Sequence, residues 1–221
     1  KQIESIELEN VSDDLYNHRN FLLSIPGTYK VTSDEADSSL RIYQINQTLP
    51  ILSTQQHPRL LYMTDVSGKK WKFLLKGHED LRLDQRIMQF FNLINKLITS
   101  HKATSDLGVT ILKYPIIPFA QKAGLISWVI GADTLHQLVM DYRKSKMIRP
   151  WAENDWINMF SNSQGFDMLS SLQKFEIWDS VSAMFPANEI YETFWEKTPD
   201  AVSWLQCVDT FSLTTALMSM A

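Results

Sequence analysis

From Leu81 to Ser100 the apolar residues Leu83, Ile87, Phe90, Phe91, Ile94, Leu97 and Ile98 recur at steps of three, four and one, a spacing that projects one stripe along a helix. The segments before it follow a period of two. Residues 40–45 alternate like a half-buried strand and Pro50-Ile51-Leu52 opens a further extended run. Residues 59–63 and 71–76 form a predicted hairpin across Asp65-Val66-Ser67-Gly68, where the glycine supplies a positive φ. Residues 108–114 and 124–129 read as two more strands bracketing 115–122. Residues 21–25 are extended up to the turn forced by Pro26-Gly27-Thr28-Tyr29, and 31–39 form an acidic, serine-containing loop. The first half is expected to be a small, mostly antiparallel sheet carrying one long helix.

After Ile130-Gly131-Ala132 the period lengthens to that of helices. Asp133 is placed to cap a helix over 135–144, and residues 169–185 and 189–197 continue the helical pattern. Pro199 fits the first position of a last helix running from Asp200 towards Ala221. The tryptophans and methionines of this half sit at helical spacing and are read as core. The organisation that results is a lead-in at 1–20, a sheet lobe with a connecting strap at 21–130, and an incomplete helical lobe at 131–221. This is an α+β chain of bilobal plan.

Composition narrows what such a chain can do. With 221 residues, 44% hydrophobic and 11% aromatic, it can bury a substantial core. A formal net charge of -4, a pI of about 5.7 and no long basic run give no footprint for direct nucleic-acid binding. The single cysteine, Cys207, excludes an internal disulfide framework and fits a reducing compartment. No apolar run approaches the length of a membrane span and no signal-like start is present. The first residue is Lys1 and not Met, so the chain is expected to be a piece of something longer.

The candidate chemistry centres on Lys76. It ends the apolar strand Trp71-Lys72-Phe73-Leu74-Leu75-Lys76 and is followed at once by Gly77-His78-Glu79-Asp80-Leu81-Arg82-Leu83-Asp84. In an alternating strand Lys72, Leu74 and Lys76 share a face, so Lys76 projects beside Leu74 into whatever cleft that face lines. If the helix begins early, Glu79 and Asp80 lie near its apolar stripe and Asp84 at its edge, and acids so placed need a cationic partner. The pattern is that of a phosphate-gripping lysine with a built-in ion-pair partner. A solvated strand end is the alternative that these residues leave open.

Downstream, Ile126-Ser127-Trp128-Val129-Ile130-Gly131 makes a short strap between the two halves. Binding adenine there needs an exposed backbone N–H and C=O between apolar side chains, which Val129 is placed to offer while Trp128 is large enough to cover the ring. An interlobe strand with a buried tryptophan fits the segment equally. Other chemistry is poorly supported. The five histidines show no metal-ligand spacing, Cys207 lacks the basic neighbourhood of a nucleophile, and Arg143-Lys144-Ser145-Lys146 reads as a solvated helix end.

Residues 73–82 through Met88-Gln89-Phe90-Phe91, with Gly124-Leu125-Ile126-Ser127-Trp128-Val129, resemble the kinase domain of the phosphoinositide 3-kinase-related protein kinases. Ile25-Pro26-Gly27-Thr28-Tyr29, Pro58-Arg59, Asp133-Thr134-Leu135-His136 and Met218-Ser219-Met220 fall in the same order, which most resembles the target of rapamycin (TOR) kinases. The resemblance runs from about Ile6 to Ala221 and is weakest over 147–165. It implies a protein-kinase-like fold whose seam holds ATP, with Lys76 on the phosphates and Glu79 and Asp84 as the acids that organise it. Leu74, Tyr114, Ile126, Trp128 and Val129 would line the adenine pocket, with Thr134 and His136 just beyond. Ser53, Thr54 and Gln56 would belong to a glycine-free phosphate loop over 52–58.

Leu83, Gln85 and Ser127 depart from the family's usual glutamine, glutamate and, in TOR kinases, glycine. The family's Gly-Asp-Arg-His catalytic loop and its metal-binding Asp motif are not among residues 1–221, so Mg²⁺ ligands are expected beyond residue 221 and this stretch by itself is expected to be inactive. The resemblance further implies serine/threonine phosphorylation of protein substrates in nutrient and growth signalling, and subunits of a large TOR-like complex as partners. It implies a cytoplasmic location, with nuclear or peripheral endomembrane sites as alternatives. A non-catalytic pseudokinase-type scaffold and the nonsense-mediated decay kinase are the rival readings.

Overall fold

The computed structural model describes residues 4–29, 40–149, 151–161, 165–185 and 188–220; the expected acidic loop at 31–39 lies outside them. These residues form two compact units, the first ending at Ile130 and the second running over Gly131–Met220.

In the first unit, β1 (Ser5–Glu7), a 3₁₀ turn (Leu8–Asn10) and α1 (Asp13–Asn17) are followed by β2 (Ile42–Ile45), β3 (Thr48–Pro50), β4 (Arg59–Asp65) and β5 (Lys70–Gly77). After α2 (Arg82–Ser100) and the single turn α3 (Lys102–Ser105) come β6 (Ile116–Ala120) and β7 (Ala123–Ser127). A five-stranded antiparallel sheet has the order β2-β4-β5-β7-β6, and β1 pairs with β3 beside it. Within the segment expected as a lead-in, Leu8 is buried in the core together with Ile25, Ile42 and Leu49. Leu61, Met63, Phe73 and Leu125, from one face of the sheet, complete that cluster.

The β4–β5 turn is fixed by a buried carboxylate. Asp65 accepts hydrogen bonds from the Trp71 indole N–H at 2.8 Å, the Ser67 hydroxyl at 2.5 Å and the Lys69 amide at 3.0 Å, while Gly68 takes φ +87°. Burial pushes the Asp65 carboxyl up, but the donors gathered on it outweigh that and hold it below its ordinary value.

Two strand expectations are corrected. Residues 108–114 form no strand: Ile111 is instead held by Asn95 of α2, whose side chain donates to the Ile111 carbonyl and accepts from its amide, both at 2.8 Å. The strand lies at Ile116–Ala120, inside the bracketed stretch, and tolerates Pro118 because β6 is the edge of the sheet and one of its sides needs no donor.

The long helix forms where its periodicity places it, but its apolar stripe is only partly buried. Leu83 is 70% exposed, Phe90 47% and Leu97 60%, whereas Phe91, Ile94 and Ile98 of the stripe are half-buried together with Asp84, Gln85, Met88, Asn92 and Asn95, an arc turned by roughly 90° from the stripe's centre. The helix starts at Arg82, so Glu79 and Asp80 stand in the preceding turn and not on it.

The second unit consists of α4 (Leu135–Ser145), α5 (Ala152–Phe160), α6 (Ser171–Met184), α7 (Glu189–Lys197) and α8 (Ala201–Met220). Thr134, and not Asp133, caps α4 by accepting from the Gln137 amide; Asp133 instead pairs with Lys197 at 3.7 Å. Pro199 lies outside the last helix, which begins after Asp200 accepts from the Ser203 amide at 2.8 Å. That bond, with the Ser203 hydroxyl, lowers the Asp200 carboxyl below its ordinary value.

Arg143 is the larger correction. It is buried, and its guanidinium donates to both carboxylate oxygens of Glu153 and of Glu189, tying α4 to α5 and α7. The hydrogen bonds it donates to Glu153 and then to Glu189 raise the pKa of the guanidinium above its ordinary value, and the same arginine lowers that of the Glu153 carboxyl. Trp204 of α8 meets Tyr191 and Trp195 of α7 edge-on at 4.8 and 5.3 Å between ring centres.

Candidate nucleotide-binding site

The face of the sheet opposite the core carries three rows of side chains in register. In the middle row Leu60 stands opposite Leu74, Leu74 opposite Ile126 and Ile126 opposite Ile116, an apolar band across four strands. Two residues along β5 in one direction, Lys72 stands opposite Tyr62 and accepts through its carbonyl from the Trp128 amide at 2.9 Å. Two residues in the other direction, Lys76 stands opposite Gly124, which stands opposite Pro118. The outer rows are roughly 13 Å apart at the rise of an extended strand. An aromatic and lysine row, an apolar band and a second lysine thus follow one another along a single strand face.

Lys76 Nζ lies 2.7 Å from Glu79 Oε2, and the lysine side chain is 23% exposed. Glu79 Oε2 is itself buried and receives no directed hydrogen bond among the described residues, so the contact is a charge pair. Asp80 does not compete for the lysine: Arg82 holds it through Nε at 2.9 Å and Nη2 at 2.6 Å, and the Arg82 amide adds a bond at 3.0 Å. The Arg82 guanidinium thereby draws the Asp80 carboxyl down to about 2. Asp84 is half-buried in the first turn of α2 and makes no ion pair among the described residues. The turn itself requires His78 at φ +63°, a conformation that side chains seldom adopt.

The floor beside Lys76 depends on glycine. A Cβ on Gly124 would come within 2.6 Å of the Ile117 carbonyl oxygen and 2.9 Å of Leu81 Cδ1, and Leu81 is fully buried. Gly124 and Leu81 are positions that motif reading passed over as structural determinants; the signal available was a glycine inside a strand, which marks close approach of another group.

At the other end, the Ser127 amide bonds to the Pro115 carbonyl at 2.9 Å and the Trp128 amide to Lys72, which ends the pairing of β7. Among the described residues neither the N–H nor the C=O of Val129 takes part in a hydrogen bond. Tyr114 is half-buried just before Pro115. Ser53, Thr54 and Gln56 lie in an exposed loop that is closed on itself: the Leu52 amide bonds to the Pro58 carbonyl at 2.9 Å, Thr54 to Leu52 at 2.8 Å and His57 to Thr54 at 3.0 Å. Thr134 and His136 belong to the second unit, where the Thr134 hydroxyl is occupied as the cap of α4 and His136 stacks on Trp151 at 5.1 Å. The structure therefore gathers Lys72, Leu74, Lys76, Glu79, Ile126, Trp128 and Val129 in one unit.

The family described as phosphatidylinositol 3- and 4-kinase matches residues 70–221, and the chain belongs to it. Within it the chain is 33% identical over 219 residues to the serine/threonine-protein kinase mTor of Drosophila melanogaster, covering 99% of this chain and 9% of that protein. It is 26% identical over 247 residues to the serine/threonine-protein kinase smg-1 of Caenorhabditis briggsae, covering 100% of this chain and 10% of that one. The chain thus spans about a tenth of the length of these relatives. Its fold is that of the open conformation of CtTel1, with a TM-score of 0.72 at 22% identity over 93% of this chain and 8% of the other. A small sheet unit with one long helix followed by a helical unit is the fold that this likeness shows.

Proposed function

We propose that residues 1–221 are the ATP-binding part of a TOR-like serine/threonine protein kinase acting in nutrient and growth signalling. The observation that carries the reading is the strand face of β5, with the Lys76–Glu79 charge pair at one end, the Val129 backbone, without a hydrogen bond among the described residues, at the other, and Leu74 and Ile126 opposite each other between them. Lys76 would hold the phosphates, Leu74 and Ile126 would enclose the base, and Val129 would bond its edge. Glu79, and not Asp84, would set the lysine's position. Ser53, Thr54 and Gln56 would approach the phosphates through side chains, because three amides of their loop are already used within it.

ATP brings the transferable phosphate, and Mg²⁺ neutralises its charge in transfer. No residue of 1–221 matches the family's nucleophile-orienting or metal-binding motifs, so this stretch by itself would bind nucleotide without transferring phosphate. Protein substrates and the subunits of a TOR-like complex are the partners the reading implies. No helix among the described residues is long and apolar enough to cross a membrane.

The test is phosphate transfer to a generic serine/threonine peptide by the full-length protein that contains this chain. Transfer that falls at least about a hundredfold in Lys76→Met supports the kinase reading. No transfer by the wild-type protein supports a scaffold instead, and equal transfer by the variant refutes the role given to Lys76.

A further inference from the structure

Lys72 lies one row from the site's middle band and does not belong to the motifs that mark it. Its ammonium sits 3.6 Å from the centre of the Trp128 ring and 5.9 Å from that of Tyr62, and its own carbonyl accepts from the Trp128 amide at 2.9 Å. One residue thus anchors Trp128 at both backbone and ring. The indole N–H makes no hydrogen bond among the described residues and the residue is 38% exposed, so the lysine is the charged contact on the ring. Because Lys72 is half-buried between two aromatic rings, its charge is partly withdrawn from water, where a cation holds an aromatic face more firmly.

The other lysine stacked on a tryptophan differs in kind. Lys69 lies 4.1 Å from the Trp71 ring, but that indole is already locked by its bond to Asp65. Trp128 has no such lock among the described residues.

We propose that Lys72 is a positioning residue that sets the orientation of Trp128 and through it the affinity of the site for the adenine base. The proposal rests on the nucleotide-site reading of the β5 face. It places the effect of Lys72 on the base and that of Lys76 on the phosphates, roughly 13 Å apart along one strand. A lysine acting through the ring changes ATP and adenosine binding equally; a lysine reaching the phosphates changes ATP binding alone.

Equilibrium binding of ATP and adenosine to the full-length protein separates these cases, with melting temperature followed in parallel. Lys72→Met should weaken both ligands by about three- to tenfold without lowering kcat for phosphate transfer, and Lys72→Arg, whose guanidinium also stacks, should stay within about twofold of wild type. Lys76→Met should weaken ATP and spare adenosine. Wild-type adenosine binding in Lys72→Met, alongside weakened ATP binding in Lys76→Met, overturns the role of Lys72 and leaves the site standing. Unchanged binding of both ligands in Lys76→Met and Trp128→Ala overturns the site itself.

Discussion

Lys76 and Glu79 meet at 2.7 Å where β5 runs into the turn before α2, while Asp84, one helical turn further on, joins no ion pair among the described residues. Three acids follow the lysine, and the structure gives them three different occupations. Glu79 faces the ammonium, Asp80 is bound by Arg82, and Asp84 stays half-buried on the arc of α2 that lies against the sheet.

Glu79→Gln should therefore reduce phosphate transfer by the full-length protein about tenfold or more, and Asp84→Asn by distinctly less. The pair is partly exposed, so its contribution to stability is at most about 1 kcal/mol and both variants should melt close to wild type. Steady-state kinetics with a peptide substrate, beside melting curves, distinguish positioning of the lysine from loss of fold.

Asp65 makes the fold acid-sensitive. Its carboxyl is held below its ordinary value of 3.8 in the folded chain, so its contribution is present above about pH 4 and is lost as pH falls through the folded value. Asp65→Asn should lower stability near neutral pH by about 1–3 kcal/mol, because the donors of Trp71, Ser67 and Lys69 lose a charged acceptor, and should flatten the decline towards acid. Denaturant unfolding of wild type and variant between pH 3 and pH 7 measures both effects.

Gly124→Ala puts a methyl group 2.6 Å from the Ile117 carbonyl oxygen, and backbone cannot yield as a flexible side-chain end can. We expect a loss of about 1–3 kcal/mol and a weakened ATP site, since Gly124 stands opposite Lys76. Ala123→Gly on the same strand serves as the control: it removes a methyl group without adding one at this contact, and should lose less nucleotide affinity.

Arg143→Met leaves the carboxylates of Glu153 and Glu189 facing each other without their cation. Breaking a fully buried pair costs about 3–5 kcal/mol, and the partial exposure of Glu153 brings the expected loss to roughly 2–3 kcal/mol. The triple change Arg143→Met, Glu153→Gln, Glu189→Gln should recover part of that, as seen in urea unfolding.

What the sequence disclosed follows the range of the interactions. The Lys76–Glu79 pair is separated by three residues and is visible in the chain itself. The hairpin of β4 and β5 is equally local, with Gly68 marking its turn. Periodicity reveals α2, but the helix carries apolar residues on two arcs, and only packing decides that Met88 and Phe91 turn inward while Leu83 and Phe90 do not. Arg143 looked like a solvated helix end because its partners stand 10 and 46 residues away. The contact between Lys72 and Trp128 is hidden for the same reason: only the register of β5 against β7 brings them together. Residues 108–114 form no strand because the Ile111 amide and carbonyl are taken by the Asn95 side chain of α2, 16 residues away, a contact that local pattern does not reveal.

The central claim, that the β5 face binds ATP with Lys76 on the phosphates, is tested most directly by equilibrium binding of ATP to the full-length protein and to its Lys76→Met variant. The account predicts saturable binding by wild type and at least about tenfold weaker binding by the variant, equivalent to about 1.4 kcal/mol, with an unchanged melting temperature without ligand. Equal ATP affinity in the two proteins would contradict it.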